Sequence, residues 1–160
     1  MTEKVVMNDE AFAQHHDNHI GRLFLQAQRT FAKQSIAKLR ARGHDRLTLA
    51  HTALFPHLDS HGMSVTVLAE QAGMTKQSMR QLVLDLEDKG YVTRVPDPGD
   101  RRATLVTFTE EGWRFVRDAQ EVKQEMEAKY LAALGPERFE DLKGSLTALI
   151  ERAGKEDTEP

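Results

Sequence analysis

The 160-residue chain contains no cysteine. That excludes disulfides, a thiol nucleophile, a thiol redox sensor and zinc held by thiolates. Long apolar runs are missing too: none approaches the roughly 18 residues that cross a bilayer. Met1 to Glu10 mixes charges with a short apolar patch and lacks the apolar core of a secretory leader, so the expectation is a cytoplasmic protein with no membrane partner. Recognisable catalytic signatures are also absent. There is no Gly-x-Ser-x-Gly elbow, no glycine-rich phosphate loop, no His-Glu-x-x-His and no paired carboxylate set in a pocket context. An enzyme is not expected, nor a cofactor. The net charge of −3 argues against a polycation of the histone kind. It leaves a local basic face open, because a nucleic-acid site depends on where charge sits.

What is present is a folded-domain composition, 39% hydrophobic and 29% charged, at the length of one globular unit. From about Ala11 to Arg42, Ile20, Leu23, Phe24, Ala27, Phe31, Ile36 and Leu39 recur at helical spacing without a proline, and Gly43 follows. This predicts one long amphipathic helix. A second helix is expected over Thr48 to Ser60, capped by Thr48, with Leu49, Thr52, Ala53 and Leu58 inside and a kink or early end at Pro56. Ser64 caps a short helix carrying Val67, Leu68 and Ala72 inward. Gly73 breaks it, and Thr75 caps another helix running to about Lys89. Two helices joined by such a turn make a helix-turn-helix unit.

After Gly90 the period changes. Tyr91–Val95 and Thr104–Phe108 have strand composition around the turn-forming Pro96-Asp97-Pro98-Gly99-Asp100, which predicts a β-hairpin with Arg101 and Arg102 at its tip. Thr109 then caps a long helix with Trp113, Val116, Ala119, Val122, Met126 and Tyr130. Gly135 and Pro136 separate it from a last helix striped by Phe139, Leu142, Leu146, Leu149 and Ile150. The residues from Gly154 onward are expected to be a disordered polar tail.

Stepping 100° per residue from Met79 puts Met79, Leu82, Val83 and Leu86 on one apolar stripe. The opposite face carries Gln77, Arg80 and Gln81, flanked by Lys76 and Ser78, with Thr75 at the amino end. Arginine matches guanine bidentately in a major groove and glutamine matches adenine. A solvated face is the plainer alternative. Asp85, Glu87 and Asp88 look poor for DNA and confine a contact zone to the first two turns. Arg101 and Arg102 suit a narrow, strongly negative minor groove, with Asp100 able to orient one of them. The order of helix, turn, helix and basic-tipped hairpin is far more specific than any part of it.

The runs Leu68-Ala69-Glu70-Gln71-Ala72-Gly73-Met74-Thr75, Leu86-Glu87-Asp88-Lys89-Gly90-Tyr91-Val92-Thr93-Arg94, Asp97-Pro98-Gly99-Asp100-Arg101-Arg102-Ala103 and Phe108-Thr109-Glu110-Glu111-Gly112 resemble the multiple-antibiotic-resistance regulator (MarR) family of winged-helix transcription factors. The strongest element is the Asp-x-Arg of the wing, Asp100 and Arg102, followed by Thr-x-x-Gly. The resemblance implies a mainly α fold with a small β-hairpin wing, a winged helix-turn-helix lobe at 46–108, and long N- and C-terminal dimerisation helices at 11–42 and 110–153. Residues 1–10 and 154–160 would be flexible tails of this single intertwined domain. It further implies a homodimer whose first, fifth and sixth helices interlock. The helix from Thr75 would enter the major groove of a pseudo-palindromic double-stranded operator, and the wing, with Arg94, would reach beside it. Members usually repress nearby genes until a small ligand or an oxidant releases them. The oxidant branch uses a cysteine that this chain lacks.

Charge is unevenly spread. From Arg22 to Arg46 there are seven Lys or Arg and one acid, whereas Glu110 to the end holds thirteen acids and eight bases. Arg46 is a candidate phosphate contact. His19, Arg22, His51 and His57 are candidates for edging the family's ligand cleft, where they would suit an aromatic carboxylate or phenol. The seven histidines also raise a metal-responsive alternative, through His15, His16 and His19 or through His57 and His61 four apart. A winged helix serving only as a protein-interaction module is the other rival, but Lys76, Arg80, Arg101 and Arg102 argue against it.

Overall fold

The computed structural model describes residues 19–100 and 102–156. These fall into two compact units that meet within one long helix, at Val116 and Arg117.

The first unit opens with helix α1, Ile20–Ala41. His19 is extended and caps it, its ring accepting the Gly21 N–H at 3.1 Å. One continuous helix from Ala11 is therefore corrected: the chain leaves helical geometry at His19, and residues 11–18 lie outside the described part. The expected second helix is corrected as well. Two 3-10 turns, Ala50–Ala53 and Phe55–His57, stand in its place. Pro56 has no N–H to donate, so an α-helical ladder cannot run through it. Leu49, expected inside, is half exposed, and Leu54 is buried in its stead.

Helix α2 (Val65–Gln71) is capped by Ser64, and α3 (Lys76–Asp88) by Thr75, whose hydroxyl accepts the Ser78 N–H at 3.1 Å. Leu68 and Ala69 of α2 are buried, while Val67 points outward. Of the stripe that the periodicity predicts along α3, Met79, Val83 and Leu86 are buried and Leu82 is half-buried. Gly73 takes φ +61 between the helices, a conformation that other residues adopt only at a cost.

Strands β1 (Val92–Pro96) and β2 (Thr104–Phe108) pair antiparallel, Val92 opposite Phe108. Met63 adds a further rung by exchanging two backbone hydrogen bonds with Val106, at 2.8 and 3.0 Å. A rung of one residue has no period for sequence to reveal. Helix α4 (Glu110–Leu134) follows, with Thr109 as its cap.

The second unit holds α4 beyond Val116 and helix α5, Pro136–Glu156. Val122, Met126 and Phe139 are buried. Lys143 on α5 reaches Glu127 on α4 at 3.5 Å and lies over the Phe139 ring. Helix α5 continues through Gly154 to Glu156, which corrects the disordered tail expected from Gly154; residues 157–160 lie outside the described part. Leu142, Leu146, Leu149 and Ile150 are exposed on this chain, as are Ile20, Leu23, Phe24, Leu25 and Phe31.

Candidate nucleic-acid interface

Helix α3 is built in two electrical halves. Thr75, Lys76, Gln77, Ser78, Arg80 and Gln81 are all exposed at its amino end. Neither Lys76 nor Arg80 has an acidic partner among the described residues. The Thr75 and Ser78 hydroxyls hydrogen-bond each other at 2.8 Å, which ties both into the cap.

The carboxyl half differs. Asp85 is bound by Lys89 and by His51, Glu87 by Arg94 at 2.7 Å, and Asp88 by Arg46 at 3.6 Å. Each acid of that half therefore carries a base. The hydrogen bonds from Lys89, and then from His51, hold the Asp85 carboxyl below its ordinary pKa. Arg46 and Arg94, expected at the DNA backbone, are found on the acids of α3. The Lys89 pairing was legible in the i,i+4 spacing. The others join elements that only the fold brings together.

The hairpin tip is shaped by two aspartates. Asp97 accepts the Gly99 N–H at 2.8 Å, and Asp100 accepts the Arg102 N–H at 2.9 Å. Asp100 thus grips the backbone of Arg102, a turn-building role of the kind short acidic side chains favour. Arg102 is exposed; Arg101 lies outside the described residues.

The base of the hairpin is fixed to α4. Thr109 Oγ1 donates to the Gly90 carbonyl at 2.5 Å and accepts the Gly112 N–H at 3.0 Å, and its own N–H reaches the Tyr91 carbonyl. A side chain at residue 112 would collide with that carbonyl. The Thr-x-x-Gly spacing is the contact itself. Beneath it, buried His44 meets the Tyr91 hydroxyl at 3.0 Å, and Arg114 reaches from Glu111 to the Arg42 carbonyl. Burial, with the nearby Glu111 charge, pushes the Tyr91 hydroxyl above its ordinary pKa. No sequence signal joins His44 to a residue 47 positions away.

The four ligand candidates separate. His19 and Arg22 share an open groove of about 430 Å³ with Leu25, Gln26 and Arg29. His57 is half-buried at the end of its turn and does not line that groove. His51 leaves the set: it is buried, with Nε2 on Asp85 at 2.5 Å and Nδ1 accepting the Thr48 N–H at 2.9 Å. The His57–His61 chelate also loses its basis, because Leu58 is extended and the two do not share a helix face. Among the described residues no group of three metal-ligating side chains converges; His15 and His16 lie outside them.

The sequence profile of the MarR family matches residues 47–103, from the 3-10 turns through both short helices to the hairpin tip. PetP of Rhodobacter capsulatus, an HTH-type transcriptional regulator, is 31% identical over 111 residues, 69% of this chain and 66% of PetP. The chain belongs to the MarR family. A MarR regulator from Methanosarcina mazei shares the fold at TM-score 0.67 and 22% identity, covering 85% of this chain and 96% of that one. A mutant of S. aureus MepR bound to an oligodeoxyribonucleotide matches at TM-score 0.58 and 21% identity, covering 86% and 99%. MarR proteins are transcriptional regulators and not enzymes; this one is a DNA-binding regulator. No helix of its described residues is long and apolar enough to cross a membrane.

Proposed function

We propose that the protein acts in the cytoplasm as a homodimeric, sequence-specific repressor, released from its operator by a small aromatic or phenolic ligand. The observation that carries this reading is the division of α3. Its amino-terminal half presents Lys76 and Arg80, unpaired among the described residues, beside Gln77 and Gln81, while its acids are neutralised. Such a helix offers a groove hydrogen-bonding groups and positive charge without acidic repulsion. Thr75, Lys76, Gln77, Ser78, Arg80 and Gln81 take the major groove in this reading, and Arg102 with Arg101 takes the minor groove. Arg46 and Arg94 serve the backbone by exchanging a carboxylate for a phosphate. The Arg46–Asp88 pair joins two exposed side chains, and such pairs contribute only about 0–1 kcal/mol.

Dimerisation is supported by the apolar residues that α1 and α5 leave in solvent, with Ile20 57% and Ile150 71% exposed. Residues 11–42 and 110–153 are assigned to that interface and 46–108 to the reading lobe. Two arginines and a histidine in the α1 groove suit an anionic effector.

Selection of bound duplexes from a random pool tests the reading. The expected result is a pseudo-palindrome with half-site centres one helical turn apart, about 10–10.5 base pairs. Enrichment of a single half-site, or of nothing, rejects a dimeric sequence-specific regulator.

A further inference from the structure

Helix α3 is seated by Met79, Val83 and Leu86. Apolar contact is non-directional, so it sets depth better than rotation. A turn of about 20° about the axis moves a side-chain end by about 2 Å, given a helix radius near 5–6 Å with side chains. That exceeds what a bidentate hydrogen bond to a base tolerates. Something directional has to hold the angle.

The structure supplies one such restraint from outside the helix. His51 sits in the first 3-10 turn, 6% exposed, with Nε2 at 2.5 Å from Asp85 Oδ2. Its other nitrogen accepts the Thr48 backbone N–H at 2.9 Å, and the Thr48 hydroxyl lies 3.0 Å from the same atom. A backbone N–H can only donate, so Nδ1 carries a lone pair and the ring proton sits on Nε2, aimed at the carboxylate. The tautomer is fixed by the loop, and a charge-assisted hydrogen bond follows from it. Asp85 gives its second oxygen to Lys89. Its carboxyl group therefore has little freedom to swing with the helix. Asp85 lies four residues beyond Gln81, about 40° round the helix, so the restrained face is almost the face that carries Gln81.

We propose that His51 and Asp85 are positioning residues for base recognition: the Thr48–His51–Asp85 relay fixes the rotation at which α3 presents Gln77, Arg80 and Gln81 to DNA. The inference rests on the assignment of those three to base contacts. It places the effect on discrimination between sequences, since phosphate attraction does not depend on a 2 Å displacement in the same way.

The test uses the full chain and two duplexes of equal length, the selected operator and a scrambled version, at one salt concentration. His51→Leu fills similar space without a donor, and Asp85→Ala puts a strong helix former at a half-buried site. Each is expected to lower the operator-to-scrambled affinity ratio about tenfold, the scale of one lost base contact. The double variant should lose no more than either single one, because both break the same link. His51→Gln, which keeps an N–H donor, should restore the ratio to within about threefold. Melting curves on each variant confirm that folded protein is compared. An unchanged ratio, or equal losses on both duplexes, overturns the proposal. Arg80→Ala and Gln81→Ala separate the two levels: if they lower the ratio and His51→Leu does not, only the positioning role has failed. If they leave it unchanged too, base contact by α3 has failed with it.

Discussion

A Cβ on Gly112 would lie 2.0 Å from the Tyr91 carbonyl oxygen. The first turn of α4 and the residue just before the hairpin are therefore in backbone contact, with only glycine able to sit between them. Gly112→Ala forces the helix off the sheet or disrupts the Thr109 cap. Overpacking of this kind costs about 1–3 kcal/mol, and the obstacle here is backbone that cannot change rotamer. The expected outcome is a melting temperature lower by several degrees, with weaker operator binding, measured by circular dichroism and gel shift. A variant as stable as the parent would show that α4 has room to shift.

The two cations at the amino end of α3 should fail differently. Arg80→Ala is expected to cost about 1–3 kcal/mol on the operator and to relax preference at one base pair. Lys76→Ala should weaken all duplexes about equally and reduce the salt slope by about one unit. Binding titrations on operator and scrambled duplexes at three salt concentrations distinguish them. Identical behaviour of the two variants would contradict the division between base and phosphate contacts.

Stability should fall at both ends of the pH scale for identifiable reasons. The Asp85 carboxyl is held below its ordinary value of 3.8 by Lys89 and His51, so the folded state favours its charge. Its contribution is complete above about pH 4 and is lost as pH falls through the folded value. Tyr91 is raised above 10.0 by burial and by Glu111, so the folded state favours its proton. That contribution is complete below pH 10 and is lost as pH rises beyond it. Asp85→Asn should flatten the acid limb and Tyr91→Phe the alkaline one in denaturant titrations. Each parent limb persisting in its variant would place the titrating group elsewhere.

Leu146→Glu, on the exposed face of α5, is expected to leave the reading lobe folded and yield a monomer at micromolar concentration. Equilibrium sedimentation reads the mass. Loss of one half-site's contacts should cut operator affinity by at least about a hundredfold, since linked half-sites raise each other's effective concentration. A dimer of unchanged affinity would move the interface away from α5.

A salicylate-like ligand is expected to raise the melting temperature, and Arg22→Ala to abolish the rise. Its anion would lie in the α1 groove among His19, Arg22 and Arg29. No shift at millimolar ligand would remove aromatic carboxylates from the effector reading.

Much of the lobe was legible because its signals are local. Ser64 and Thr75 announce their helices by capping, Met79, Val83 and Leu86 by spacing, and the hairpin by Pro96 through Asp100. What stayed hidden depends on residues far apart in the chain. His51 read as a ligand-cleft residue because Asp85, which it binds, lies 34 positions on. Arg46 and Arg94 looked like free cations because Asp88 and Glu87 come to them only through the fold. The 3-10 turns were misjudged for another reason: proline announces an interruption without saying what replaces the helix.

The paired acids at the carboxyl end of α3 also give the helix a direction. DNA that met it the wrong way round would press phosphates against Asp85, Glu87 and Asp88 and have to strip Lys89, Arg94 and Arg46 from them. Approached tip first, the helix keeps Lys89 and His51 on Asp85 and gives up only the surface pairs of Arg94 and Arg46. Misoriented encounters should be short-lived, so the protein can scan a duplex without lingering in poses from which no sequence can be read.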